Sequence, residues 1–164
     1  MKVDERMTKD YSYRNLIVWQ KAQELAHEVI AVTRKLPQSW ANAVIARQII
    51  ASATSVGANI AEGHGRYSVG AHRNHLSIAK GSAAESDSWL DLMRREQVLT
   101  DEEEARLHKL CVELMKMLTG KIRDLEQLED QQKAQSQKRE TREGSTLYDL
   151  NQAPFPFTDA DYLS

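Results

Sequence analysis

The chain has little of what most alternatives to a helical fold require. One cysteine, Cys111, rules out a disulfide within its 164 residues and points to a reducing compartment. Three prolines and seven glycines are too few for a loop-rich β protein. No uninterrupted apolar run approaches the roughly 18 residues of a membrane span. Met1–Arg6 lacks the apolar core of a signal peptide, so a cytoplasmic protein that stays out of membranes is expected. Neither sign of charge dominates: a formal net charge of −2 argues against a globally basic nucleic-acid binder but leaves room for a local basic face. What is present, 41% hydrophobic and 28% charged residues, fits one soluble globular domain with a polar appendage.

Apolar residues recur at helical spacing in four segments. Val18, Ala22, Leu25, Val29, Val32 and Leu36 form the first stripe, with Asn15 as its expected N-cap and Pro37 as its stop. Ser39 is placed to cap the second helix, whose seam is Ala46, Ile49, Ala53, Val56 and Ile60, widened by Ala43, Ile50 and Ala61. The Gly63-His64-Gly65 break follows, with Gly63 or Gly65 expected in the left-handed conformation that ends a helix. Ser68 caps a third helix with the stripe His72, Leu76, Ala79, Ala83, Ser86, Leu90 and Met93. Its small residues Ala79, Gly81, Ser82, Ala83 and Ala84 match the small face of the second helix and predict a close crossing. Thr100 and Glu103 form a capping box for a fourth helix running from Leu107 through Leu110, Cys111, Leu114, Met117, Leu118, Ile122 and Leu125 to Leu128. No segment alternates long enough to be a strand. The expected fold is all-α, an up-down-up-down four-helix bundle over residues 11–128 with an extended or disordered C-terminal tail.

Beyond Leu128 the composition changes. Residues 129–143 are almost all Gln, Lys, Arg and Glu, a charged helical extension or linker that Gly144 is expected to end. Residues 144–164 form an acidic aromatic tail with Tyr148, Phe155, Phe157 and Tyr162, and both phenylalanines of the chain lie in it. Such a tail either docks on a partner or is merely disordered, and those four aromatics are the candidate partner-binding residues.

Three constellations invite chemistry, and each has a plainer explanation. His72 and His75, three apart on one helix near His64 and Glu62, have a spacing that arises by chance and no second paired motif, so no metal is expected. Gly63-His64-Gly65-Arg66 follows a helix rather than a strand and lacks the Lys and hydroxyl of a nucleotide cradle. Cys111 lies on an apolar stripe and reads as core. Glu62 is placed to pair with Arg66 across the turn. No catalytic residue and no cofactor is assigned, and a non-enzymatic protein is expected. The basic residues Arg47, Arg66, Arg73, Lys80, Arg94 and Arg95 all belong to the second and third helices or their turns. Repeated around a ring, such a face would be strongly positive although each subunit is near neutral.

Three motifs resemble one family. Tyr13-Arg14-Asn15-Leu16 with Val18-Trp19-Gln20-Lys21-Ala22, then Ser55 to Gly63 with Gly65-Arg66, then Ile78 to Glu85 are similar to proteins encoded by intervening sequences of bacterial 23S ribosomal RNA genes. The family is also similar to the accessory variability determinant of diversity-generating retroelements. That resemblance implies a homopentameric barrel of four-helix bundles that binds nucleic acid and a reverse transcriptase. The leading expectation is a non-enzymatic homo-oligomeric accessory protein that binds RNA or DNA, with the six basic residues contacting phosphates. The alternative is a protein-interaction scaffold whose aromatic tail recruits a partner or docks on a neighbouring subunit.

Overall fold

A computed structural model describes residues 12–151, with the side chains of residues 140 and 142–151 outside the described set. Among the described residues there are four α-helices and no strand: α1 (Ile17–Thr33), α2 (Trp40–His64), α3 (Val69–Arg95) and α4 (Asp101–Asn151). A single 3-10 turn, Tyr13–Asn15, precedes α1. None of these helices is long and apolar enough to cross a membrane.

Most of the helix starts follow from local hydroxyl chemistry. Ser39 accepts from the amide of Asn42 at 3.0 Å and Ser68 from that of Ala71 at 3.2 Å. Thr100 and Glu103 close a reciprocal box at 3.2 and 3.3 Å, satisfying amides that the first turn leaves without partners. The start of α1 differs from expectation. Asn15 belongs to the 3-10 turn, which Ser12 caps, and Leu16 is the N-cap of α1 without a side-chain hydrogen bond. There the chain is tied down by packing instead, with Tyr13 edge-on to Trp19 at 5.3 Å.

The helix ends correct the sequence reading of the glycines. Gly65 caps α2 with φ −82°, and no described glycine has positive φ. The left-handed residue is Gln97 (φ 58°), which ends α3. Val98 N–H reaches the Met93 carbonyl and Gln97 N–H the Arg94 carbonyl, a pair of bonds that satisfies the last turn. Gly57 and Gly63 serve close packing: a Cβ on Gly63 would lie 3.0 Å from His75 Cβ and 3.2 Å from the His72 carbonyl, and one on Gly57 would strike Gln23 of α1. Gly81 and Ala84, expected in the small seam of α3, are exposed, and a Cβ on Gly81 would meet nothing within 4 Å.

The first compact unit spans Met1–Glu126. Its core is one cluster fed by all four helices, including Leu25, Ile49, Ile60, Leu90, Leu107, Leu114 and Leu118. Each such side chain stabilises the fold by about 1.5–3 kcal/mol when fully buried. Lys21 pairs with Glu113, Lys35 with Glu103 and Glu28 with Arg106, so α1 runs antiparallel beside α4. Ser52 meets Ser86 and Ser55 meets Ser82, both at 2.9 Å, so α2 runs antiparallel beside α3. Asp87 and His108, 2.6 Å apart, join α3 to α4. The order is up, down, up, down.

The second unit spans Gln127–Ser164. Its described part is helix to Asn151, with exposed polar side chains and a Lys133–Glu129 pair at 3.2 Å. The backbone passes through Gly144 without breaking, contrary to expectation. Glycine in a helix costs about 1 kcal/mol relative to alanine and does not forbid it. Phe155, Phe157 and Tyr162 lie outside the described residues, as does the Tyr148 side chain.

Candidate nucleic-acid interface

The six basic residues do not form one patch. With a rise of about 1.5 Å per residue, Arg73 and Arg95 stand about 33 Å apart along α3. Arg66 and Arg73 sit at the α2–α3 turn, whereas Arg94 and Arg95 lie at the far end of α3. The Ser52–Ser86 register places Arg47 level with that far end. Lys80 lies midway, half-buried.

Four of the six are held by carboxylates of their own chain. Arg66 pairs with Glu62 one turn earlier, as the sequence spacing suggested. Arg73 reaches Glu126 of α4 at 3.5 Å. Arg94 and Arg95 share Asp91 at 3.1 and 2.7 Å, and their guanidinium groups, Arg94 first, hold its carboxyl below the usual range. Arg47 and Lys80 have no ion-pair partner among the described residues. All six stay outside the core, but their field is partly cancelled at source.

The richest cluster lies where α2 turns into α3. His72 and His75 pack over Gly63, the close approach for which that glycine is needed. His75 Nδ1 lies 3.3 Å from Asn59 Oδ1, and its Nε2 lies 3.7 Å from Glu62 Oε1. His72 is half-buried and its pKa is lowered, first by burial and then by the charges of Lys121, His64 and His75. Basic side chains from α2, α3 and α4 thus lie near one another at this corner, and burial together with their charges favours the neutral form of His72. Lys121 escaped the sequence reading because it is one of many lysines and arginines on α4, and only the fold brings it to His72. Glu126, 53 residues from Arg73, escaped for the same reason.

Among the described residues, no group of three or more His, Cys, Asp or Glu side chains is placed to hold a metal ion. Cys111 is buried, and its thiol is pushed up to about 12 by burial and by the nearby Asp87 carboxylate, so it is a poor nucleophile. A cleft of about 270 Å³ between α1 and α4 is lined by Lys21, Glu24, Glu28, Arg106, Lys109, Leu110 and Glu113, and ion pairs bridge it.

An antiparallel four-helix bundle with mixed-charge helix faces and a histidine-lined corner is the class this geometry defines. A family model described as 23S rRNA-intervening sequence protein matches residues 14–120, and the chain belongs to that family. Among solved structures it is similar to a protein of unknown function from the S23 ribosomal protein family of Bacteroides thetaiotaomicron. The two share 31% identity with a TM-score of 0.61, over 65% of this chain and 98% of that one. No curated protein matches significantly.

Proposed function

We propose that the chain is a non-enzymatic accessory protein that binds RNA or DNA through phosphate contacts as a homo-oligomer. The observation that carries this reading is the placement of Arg47, Arg66, Arg73, Lys80, Arg94 and Arg95 on the outside of one helix pair and its turns. The family description, tied to an intervening sequence of 23S rRNA, favours RNA among the two polymers. Intramolecular carboxylates compete with phosphate for four of the six cations, which makes binding by one subunit weak and places the affinity in repetition around an assembly. Assembly is supported on the outer face of α3. Gly81 there has open space around it, and Ile78, one turn away, is 45% exposed. A mid-helix glycine without an intrachain contact costs about 1 kcal/mol, which a close approach by a second copy would offset. The pentamer and a reverse transcriptase partner are the finer form of this reading, with the tail from Leu147 to Ser164 as a route for recruiting a protein.

The test is RNA titration of the intact protein across salt, with assembly read by light scattering on the same preparation. Binding at low salt should fall steeply as salt rises. Arg66→Ala with Arg73→Ala should weaken it for all sequences alike and flatten the salt slope. Absence of binding at low salt, or binding that the double variant leaves unchanged, overturns the reading.

A further inference from the structure

Three of the five described aromatic side chains have a place in the bundle. Tyr13 stands edge-on to Trp19, Trp19 and Trp89 pack against the core, and Trp89 Nε1–H donates to Glu85 at 3.4 Å. Trp40 and Tyr67 have none. Trp40, the first residue of α2, is 83% exposed, and Tyr67, on the α2–α3 turn, is fully exposed. Neither ring has a hydrogen bond or a ring contact among the described residues. A large apolar ring left in water forgoes the gain of burial, which a ligand can restore. Both rings project from fixed points. Ser39, directly before Trp40, caps α2, and Asn42 Nδ2–H donates to the Pro37 carbonyl at 2.8 Å. Tyr67 lies between Arg66, whose amide donates to the Gly63 carbonyl at 3.1 Å, and Ser68, which caps α3. Each ring also stands beside cations. Arg47 follows Trp40 by seven residues, two turns along the same face of α2 and about 10.5 Å along its axis. Arg47 is exposed and has no ion-pair partner among the described residues, and Ala43 between the two is small and exposed, so the space from ring to guanidinium is open. Arg34 and Lys35 precede Trp40 across the α1–α2 connection, Lys35 being paired with Glu103. Tyr67 directly follows Arg66.

We propose that Trp40 and Tyr67 are stacking platforms for unpaired bases, and that the nucleic acid this chain takes is single-stranded RNA. This rests on the nucleic-acid reading above and adds the class of strand and the residues that select it. Base faces are open in a single strand and closed in a duplex, where each base already stacks on its neighbours. Stacking also supplies what the charged contacts lack. Four of the six basic residues are held by carboxylates of their own chain, whereas a base on an aromatic ring does not compete with Glu62 or Asp91. Ring and cation then act together: a base lies on Trp40 with a neighbouring phosphate at Arg47, and another lies on Tyr67 with a phosphate at Arg66. The two ends of α2 are about 36 Å apart, so the platforms hold separate stretches of strand. The other surface that would cover such a ring is a second copy of this chain. Arg47 argues against it, because a protein contact over Trp40 would bury a guanidinium that has no carboxylate beside it.

The experiment titrates the intact protein with a short single-stranded RNA and with the duplex of the same sequence, following anisotropy of the labelled RNA and tryptophan emission of the protein. The single strand should bind more tightly than the duplex. Trp40→Ala and Tyr67→Ala should each weaken single-strand binding by roughly 5- to 150-fold, the worth of one stacked base. Neither removes a charge, so the salt slope and duplex binding should stay as in the wild type, unlike the effect of Arg66→Ala with Arg73→Ala. Single-stranded RNA should quench tryptophan emission, and Trp40→Phe should keep most of the affinity while losing the quenching, because Trp19 and Trp89 are half-buried. Both rings lie outside the core, so these variants keep the fold. A duplex bound as tightly as the single strand, or single-strand binding unchanged in Trp40→Ala with Tyr67→Ala while Arg66→Ala with Arg73→Ala weakens it, overturns the platforms and leaves the broader reading standing. A smaller assembly by light scattering in either alanine variant makes the ring a contact between copies and likewise overturns the proposal. No RNA binding at low salt overturns both readings.

Discussion

The two sides of the bundle are held by different chemistry. Between α2 and α3 the contact is small and polar. Ser52, Ser82 and Ser86 are buried, and Ser86 Oγ lies 2.9 Å from both Ser52 Oγ and the Ser82 carbonyl. Ser55, Asn59 and His75 continue this line towards the turn. Between α1 and α4 the contact is long and charged at its margin, with Lys21, Lys35 and Arg106 reaching Glu113, Glu103 and Glu28 over a leucine-rich core. Short side chains bring α2 and α3 together and leave no room for growth. Long ones let α1 and α4 adjust. The histidine corner sits at the end of the unforgiving seam, where side-chain positions are most closely determined by backbone.

That contrast can be broken most directly by enlarging the tight seam. Ala83 is fully buried, and Ala83→Leu should destabilise the protein by about 3 kcal/mol, read by urea denaturation. A similar loss from a leucine placed at half-exposed Met115 on α4 would abolish the distinction. The next effect concerns the leucine-rich side, where Cys111 is the buried titratable group. Its pKa rises from 9.0 to about 12 on folding, so the folded state prefers the neutral thiol. The stability it secures is complete below pH 9 and is lost as pH rises from 9 towards 12, at up to about 1.4 kcal/mol per pH unit. Thermal melts of Cys111→Ala should lack that slope when compared with wild type. The smallest effect separates the two kinds of polar contact. A double-mutant cycle on Ser52 and Ser86 should return about 1 kcal/mol, and one on Glu28 and Arg106 less, falling further with added salt. Equal couplings, both insensitive to salt, would contradict the contrast.

Features with local causes were legible before the structure. Ser39, Ser68 and Thr100 with Glu103 mark helix starts because each cap needs only residues three apart. The Glu62–Arg66 pair was readable because one helical turn brings the two together. The stripes read correctly from Ala22 to Val32 and from Leu76 to Met93, where burial follows the 3.6-residue period. Glycine misled in three ways. Gly63 and Gly65 looked like left-handed stops, and that conformation fell to Gln97. Gly81 looked like part of the seam and faces outward, since a small residue carries no signal of which face it occupies. Gly144 looked like a terminus and was crossed.

The sequence by itself determined four amphipathic helices, their order, most of their caps and the family, because periodicity, capping and motif are properties of neighbouring residues. Tertiary structure alone decided which charges meet. It took Arg73 to Glu126, spread the six basic residues along the α2–α3 pair from one end to the other, and set Lys121 where its charge opposes a charge on His72. Those outcomes depend on helix register and on how closely two backbones approach. Register is set by the whole packed core, so no local stretch of the chain encodes it.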